Sequence, residues 1–202
     1  IWRYNISVAD GTRKINVPRP EGGKSIYPGK TIFVSDFSVP KRIQSREVAI
    51  YNNTYLIASA SDPYIEFNAE QLQVFNNLFV VEEGGRLAKK LNVAWEKGEG
   101  LAMRGNAFVG NVSPNFIRLD QQPRVVQLAF NGELSDANSY AVASDWFKTI
   151  DAVQAVKHPS FPAAGQGIFS HISELPTVDY FGNPLSSVPN LVGAGYQPLT
   201  HD

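Results

Sequence analysis

Alternation of apolar and polar residues is the clearest pattern in the first part of this chain. Residues 2–9 place apolar side chains at every second position, which is the period of a strand with one buried face. Asp10-Gly11 follows, and this dipeptide favours the two-residue turn of an antiparallel hairpin. The pattern therefore predicts a hairpin over residues 2–17, with Gly11 at positive φ.

Further strands are predicted wherever short apolar or alternating segments are bounded by turn-forming residues. Asn52-Asn53 predicts a second hairpin that joins residues 47–51 to residues 55–59, because asparagine tolerates positive φ. Residues 68–81 are interpreted as a short helix or turn that runs into a strand at 78–81. No internal repeat is evident. The other predicted strands are 30–39, 63–67, 91–95, 117–119 and 125–130.

One helix is predicted within residues 136–157, where Phe147, Ile150, Val153 and Val156 recur at helical spacing. The remaining segment, residues 159–202, is rich in proline and glycine and has little periodicity. It also contains many apolar residues, so we expect an extended arm instead of a solvated tail. The predicted organisation is a β-rich domain over residues 1–158 and a C-terminal arm over residues 159–202.

These elements together predict a mainly β protein. The expected fold is an antiparallel β-sandwich or jelly-roll-like domain with one packed α-helix and an extended Pro/Gly-rich C-terminal arm.

Composition narrows the class of protein. The chain has 202 residues, of which 43% are hydrophobic and 18% charged, and its net charge is −1. No basic stripe indicates nucleic-acid binding, and no apolar run approaches the length of about 20 residues that a membrane helix needs. The absence of cysteine excludes disulfides and thiolate metal sites. The chain begins at Ile1, so either a leader has been removed or the sequence is part of a longer product.

The three histidines do not form a recognisable catalytic pattern. His171 lies between serines and near a glutamate, and a serine–histidine–carboxylate site could use Asp145 or Asp151. No Gly-x-Ser-x-Gly motif supports such a site. We therefore expect His158, His171 and His201 to be helix-end or surface residues, and none of them to be catalytic.

Carboxylates and metal motifs give no firmer signal. Glu66, Glu70, Glu82 and Glu83 cluster in the sequence, and a carboxylate pair is what glycoside hydrolysis requires. Such residues are more typical of a solvated face or a turn. No histidine-based or calcium-loop motif is present. The sequence thus predicts no catalytic residue, no metal ligand and no cofactor.

Aromatic and apolar residues near the two ends of the chain indicate a protein interface. Extended arms stabilise symmetric assemblies by reaching across neighbouring subunits. The first functional hypothesis is therefore a non-enzymatic structural subunit of a multi-copy assembly, such as a virion capsid, decoration or tail protein. It implies a virion or extracellular location and, as partners, other copies or other assembly proteins. The alternatives are a carbohydrate- or ligand-binding β-sandwich module and an enzyme with a distributed site. The proposed interface residues are Trp2, Tyr4, Phe181, Tyr196 and Leu199.

Overall fold

The computed structural model describes residues 2–126 except 4, 9, 12–14, 28, 36–44 and 94–99, together with residues 177, 178, 182 and 184. The strands in this part of the chain are β1 (Trp2–Arg3), β2 (Ile6–Val8), β3 (Ile15–Pro18), β4 (Lys24–Tyr27), β5 (Lys30–Val34), β6 (Ser45–Tyr51), β7 (Thr54–Ile57), β8 (Tyr64–Phe67), β9 (Ala69–Phe75), β10 (Leu78–Val81), β11 (Leu91–Val93), β12 (Leu101–Arg104), β13 (Ala107–Val109) and β14 (Arg124–Val126). A single-turn helix, α1 (Pro114–Ile117), lies between β13 and β14.

Most of these strands belong to three sheets, and every pairing within the three sheets is parallel. Sheet A has the strand order β1-β6-β9-β12, sheet B has the order β14-β13-β10-β7-β2, and sheet C has the order β11-β8-β5. The chain visits the sheets in the sequence A, B, C and then returns to A one position further along. The fold is therefore a β-solenoid, in which each coil contributes one strand to each sheet.

Five successive coils can be followed. Coil 1 contains β1, β2 and β5, coil 2 contains β6, β7 and β8, and coil 3 contains β9, β10 and β11. Coil 4 contains β12 and β13, after which α1 follows in place of a strand of sheet C. Coil 5 begins at Asp120, which forms an isolated parallel bridge with Met103, and continues into β14.

The predicted antiparallel β-sandwich or jelly roll is therefore wrong, although the chain is mainly β as expected. The jelly-roll interpretation was also the fold-level basis for the virion and capsid assignment, which finds no support in this architecture. The one antiparallel pair of strands, among the described residues, is β3 with β4. These two strands form a hairpin excursion between β2 and β5 of coil 1.

The predicted hairpin over residues 2–17 is also wrong. β2 pairs in parallel with β7 of the next coil, whereas β3 pairs with β4. Asp10-Gly11 begins the excursion instead of closing a two-residue turn. The expected positive φ at Gly11 is confirmed, at 79°. This glycine is needed because a Cβ there would lie 2.7 Å from Cβ of Pro63.

The prediction of a second hairpin and the prediction of a helix or turn within residues 68–81 are also wrong. β6 and β7 lie in different sheets, so Asn52-Asn53 makes a corner of the coil. Residues 69–75 form β9, and 78–81 form the predicted strand β10. Residues 117–119, predicted as a strand, are instead the last residue of α1 and the turn that follows it. The strands predicted at 63–67 and 91–95 correspond to β8 and β11.

The core is a stack of side chains that repeats once per coil. On sheet B, the rings of Tyr55, Phe79 and Phe108 stack with centroid distances of 4.9 and 5.5 Å. Phe116 of α1 meets Phe79 and Phe108 edge-on, at 5.4 and 5.7 Å. Edge-to-face contacts of this kind add to the stabilisation from apolar burial. The helix thus closes the core where sheet C has no fourth described strand.

The predicted helix at residues 136–157, the domain boundary at 158 and almost all of the predicted arm at residues 159–202 lie outside the described residues. Within that range, Val178 and Pro184 form an isolated antiparallel bridge.

Candidate functional site

A ladder of asparagine side chains joins the corners between sheets A and B. Asn53 donates from its backbone N and its Nδ2 to Oδ1 of Asn77, at 3.1 and 3.0 Å. Asn77 donates in the same way to Oδ1 of Asn106, with both distances 2.9 Å. Asn5 donates twice to Oδ1 of Asn53, at 3.0 Å each. Because Asn53, Asn77 and Asn106 are fully buried, these bonds satisfy polar groups that water cannot reach.

The backbone at each corner is shaped to present the ladder residue. Asn52, Asn76 and Gly105, which precede the ladder residues, have φ values of 51°, 54° and 67°. Asparagine and glycine are the residues that adopt this left-handed conformation most readily. The ladder therefore has a structural role, because it fixes the register of the coils, and we assign it no binding role.

The candidate site lies on the outer face of sheet C. In β8, Ile65 and Phe67 belong to the core, so the alternating residues Tyr64 and Glu66 lie on the opposite face of the strand, where Tyr64 is buried by its neighbours and Glu66 is partly exposed. Lys30 pairs with Tyr64 across β5 and β8, and Phe33 pairs with Glu66. Lys90 immediately precedes Leu91, the partner of Ile65. Three coils thus contribute to one surface, here called the outer patch and defined as Lys30, Phe33, Tyr64, Glu66 and Lys90.

Contacts within the outer patch are close. Nζ of Lys30 lies 2.8 Å from Oε2 of Glu66 and 3.3 Å from the ring centroid of Phe33. The same Nζ lies 5.0 Å from the ring centroid of Tyr64, and Nζ of Lys90 lies 4.9 Å from it. Distances under about 6 Å permit a cation–π attraction. Tyr64 is thereby flanked by two ammonium groups, and the ring of Phe33 is 41% exposed.

The charge state of Lys30 follows from these neighbours. Partial burial, the largest single influence, lowers the pKa of the Lys30 ammonium, but hydrogen bonds to Glu66 and Tyr64 and the charge of Glu66 raise it more. The net result is a pKa above the usual value for lysine. Lys30 is therefore a cation at neutral pH, and it is suited to holding an anion and not to accepting a proton.

The structure separates the four glutamates that cluster in the sequence. Glu66 lies in the outer patch, whereas Glu70 of β9 pairs with Arg46 of β6 at 2.8 Å. Glu82 is buried at the end of β10, where its Oε2 accepts a hydrogen bond from the backbone N of Ser59 at 2.5 Å. Glu83 is exposed in the following turn. They do not form a carboxylate pair of the kind that glycoside hydrolysis uses.

Of the proposed interface residues, the structure describes Trp2. It lies on the edge strand β1, 52% exposed, and its side chain hydrogen-bonds the Tyr55 side chain. Trp2 is thus attached to its own core and is also accessible at the end of the solenoid. The other proposed interface residues, Tyr4, Phe181, Tyr196 and Leu199, lie outside the described residues, as do the histidines 158, 171 and 201 and the aspartates 145 and 151.

The described residues also show neither a metal-binding cluster nor a membrane-spanning helix. They contain no group of three or more histidine or acidic side chains placed to hold a metal ion. None of their helices has the length and apolar character that a membrane crossing requires.

Sequence reasoning missed both the ladder and the outer patch. The sequence does contain a signal for the ladder, because an asparagine stands two residues before each ring of the core stack. The three segments are Asn53-Thr-Tyr, Asn77-Leu-Phe and Asn106-Ala-Phe. The outer patch had none, since its residues are brought together only by the register of strands from separate coils.

Comparison with models of known protein families, with curated protein sequences and with solved structures gave no match. Functional inference therefore rests on the geometry of this chain.

Proposed function

We propose that this chain is a binding protein that holds an extended anionic glycan along the outer face of sheet C. The observation that carries the proposal is the outer patch, in which lysines from coils 1 and 3 flank a tyrosine from coil 2 beside an exposed phenylalanine. This function corresponds to the carbohydrate- or ligand-binding alternative that the sequence left open, with a β-solenoid in place of the predicted β-sandwich.

The ligand class follows from the chemistry of the patch. The two lysines outnumber the single glutamate, so the patch attracts an anion. The Lys30 ammonium covers one face of the Phe33 ring, and the exposed part of this residue offers an apolar surface of the kind on which sugar rings stack. Strands of a sheet are about 4.8 Å apart, so Lys30 and Lys90, two strands apart, are separated by roughly 10 Å. A linear acidic polysaccharide presents carboxylates and rings repeatedly along its length, and a solenoid face offers an extended surface to match.

Binding is favoured over catalysis at this patch. Lys30 is held as a cation by Glu66 and Tyr64, and Glu66 is engaged with Lys30. The Lys30 ammonium has no lone pair with which to accept a proton, and the Glu66 carboxylate is held by Lys30 instead of facing a substrate. The prediction that the chain is not an enzyme is tested by incubating it with the glycan and measuring new chain ends.

The proposal is tested by isothermal titration calorimetry with polygalacturonate as the acidic probe and dextran as the neutral one. We expect binding of polygalacturonate alone, weakening as salt shortens the Debye length. The double variant Lys30→Gln/Lys90→Gln should raise the Kd about tenfold or more, which corresponds to about 1.4 kcal/mol.

Lys24→Gln is the matched control, because Lys24 is an exposed lysine on β4, outside the patch. It makes the same Lys→Gln exchange at one position where the double variant makes it at two, and because the lost charge lies outside the patch, its Kd should stay within about twofold of the wild-type value. Thermal unfolding of each variant shows whether the fold is retained. A wild-type chain that fails to bind polygalacturonate at low salt, or a double variant that binds as well as Lys24→Gln, would refute the proposal.

The assembly-subunit hypothesis stays a prediction. Sedimentation equilibrium of the purified chain tests it directly, since a subunit of a multi-copy assembly should associate as its concentration rises. A strict monomer at all concentrations would count against it.

A further inference from the structure

The two ends of the asparagine ladder are chemically different. Hydrogen bonds along it run in one direction, because the backbone N and Nδ2 of each asparagine donate to Oδ1 of the asparagine in the next coil. Each Nδ2 of Asn53, Asn77 and Asn106 also donates to a backbone carbonyl of the preceding coil, at 3.0 Å in every case. The first and the last of the described coils therefore differ in the hydrogen-bonding groups that their outer sides need to satisfy.

At the coil 5 end the ladder is closed. Asp120 is buried, and its Oδ2 accepts from the backbone N and Nδ2 of Asn106 at 2.8 and 2.6 Å. Its Oδ1 accepts from the backbone N of Gly105 and Gln122. The register of β13 with β14 places Pro123 where the next asparagine would stand. Proline has no N–H, so this corner cannot donate to a further coil.

At the coil 1 end the ladder is open. Oδ1 of Asn5 accepts no hydrogen bond from the described residues, and its Nδ2 lacks the carbonyl of a preceding coil that the other ladder residues have. Among the described strands, β1, β2 and β5 are the edges of their three sheets.

Trp2 lies at the same end of the solenoid, on β1 of coil 1. It shares a register with Ile50 and Val74, which are core residues, so Trp2 continues an interior row of the solenoid. Unlike them it is 52% exposed. Its large apolar side chain thus continues an interior row of the solenoid but is exposed to water. One more coil stacked at this end would bury the apolar surface of that side chain.

From these features we infer that the coil 1 end is a docking surface for one further parallel coil that carries an asparagine at the ladder position. That asparagine would donate to Oδ1 of Asn5 from its backbone N and Nδ2, and Asn5 would donate to a carbonyl of the added coil. The added coil would also cover Trp2 and pair with the edge strands. This inference is independent of the proposed glycan-binding role.

Coil 5 of a second copy, the last coil in the part of the chain that the structure describes, does not fit as the occupant. If that coil stacked on coil 1 of a neighbouring copy, the corner facing Asn5 would be Pro123. That corner supplies neither the N–H nor the side-chain donor that the open ladder requires.

The test supplies the missing coil from the chain's own sequence. Residues 45–73 are fused directly before Trp2 in place of Ile1, so that Trp2 stands in the register position that Val74 occupies after Gln73. The added copy of Asn53 then precedes Asn5 by 24 residues, the same separation that joins Asn53 to Asn77. The matched control is the same extension with Asn53→Ala in the added coil.

We expect the extension to raise the Tm by about 5 °C or more, and the control extension to raise it distinctly less. Fluorine NMR of 5-fluorotryptophan-labelled protein, with the signal assigned through Trp2→Phe, should show Trp2 exposed in the unextended chain and shielded in the extended one. An extension that leaves Trp2 exposed and the Tm unchanged would overturn the inference.

Two measurements on the unextended chain keep the test decisive even if the extended chain fails to fold. A Trp2 signal already shielded from solvent would overturn the docking surface. Concentration-dependent association that Trp2→Lys abolishes would show that the occupant is a second copy, and would overturn our choice of occupant.

Discussion

Replacing Asn77 with alanine tests whether the asparagine ladder holds the coils together. The Asn77 side chain is completely buried. Its Nδ2 donates to the carbonyls of Ile50 and Phe75 and to Asn106, and its Oδ1 accepts two hydrogen bonds from Asn53. Alanine removes all of these bonds and leaves their protein partners in place.

The magnitude follows from the groups left without partners. The backbone N of Asn53 and the carbonyls of Ile50 and Phe75 lose this side chain as a partner, and each buried polar group left unsatisfied costs about 1–3 kcal/mol. Allowing for relaxation, we expect the Asn77→Ala free energy of unfolding to fall by about 4 kcal/mol. For a chain of this size that lowers the Tm by about 8–16 °C.

Urea denaturation followed by circular dichroism measures the change, with an unchanged m value confirming that the same surface is exposed on unfolding. Asn16→Ala is the control, because Asn16 is exposed on β3. It should cost less than about 0.5 kcal/mol. Asn5→Ala should fall between the two, since Asn5 is only partly buried and ends the ladder. If Asn77→Ala costs no more than Asn16→Ala, the ladder does not stabilise the fold.

Three other predictions follow from single positions. Gly29→Ala should lower the free energy of unfolding by about 2 kcal/mol or more, because a Cβ there would lie 2.0 Å from the carbonyl oxygen of Gly11; urea denaturation equal to wild type would contradict this. Asp120→Asn should cost about 2 kcal/mol, since its NH2 group would face N–H donors on either side; a thermal melt unchanged from wild type would rule it out. Burial raises the pKa of the Tyr55 phenol, so folding favours its protonated form, and this contribution is complete below about pH 10 and is lost as the pH rises further. Tyr55→Phe should therefore show a shallower fall in stability than wild type between about pH 10 and 11.5, and an identical slope would disprove the assignment.

Strand positions were largely predictable from the sequence, but their pairing was not. The corner at Asn52-Asn53 uses the same left-handed residue that a hairpin turn uses, so local chemistry does not distinguish a return within one sheet from a step to the next sheet. Residues 78–81 are all buried, and a strand buried on both faces has no alternation to indicate which side faces the core.

The repeat was hidden by unequal coils. Successive ladder asparagines are separated by 48, 24 and 29 residues, because coil 1 carries the β3–β4 hairpin and the later coils differ in length. A search for a fixed period misses such a pattern. The outer patch depends on that hidden register, so it could not be found before the coils were aligned.

The contact between Gly11 and Gly29 has a consequence for how this protein can vary. The hairpin excursion leaves coil 1 at Gly11 and rejoins it at Gly29, and the two backbones touch. Because the two ends of the excursion already meet, we expect segments of different lengths to be exchangeable there, since each doubling of loop length costs only about 0.6 kcal/mol of loop-closure entropy. Residues 12–28 therefore form an insertion site that can be exchanged without disturbing the solenoid. New recognition loops can be acquired there in evolution, and foreign peptides can be displayed there by design.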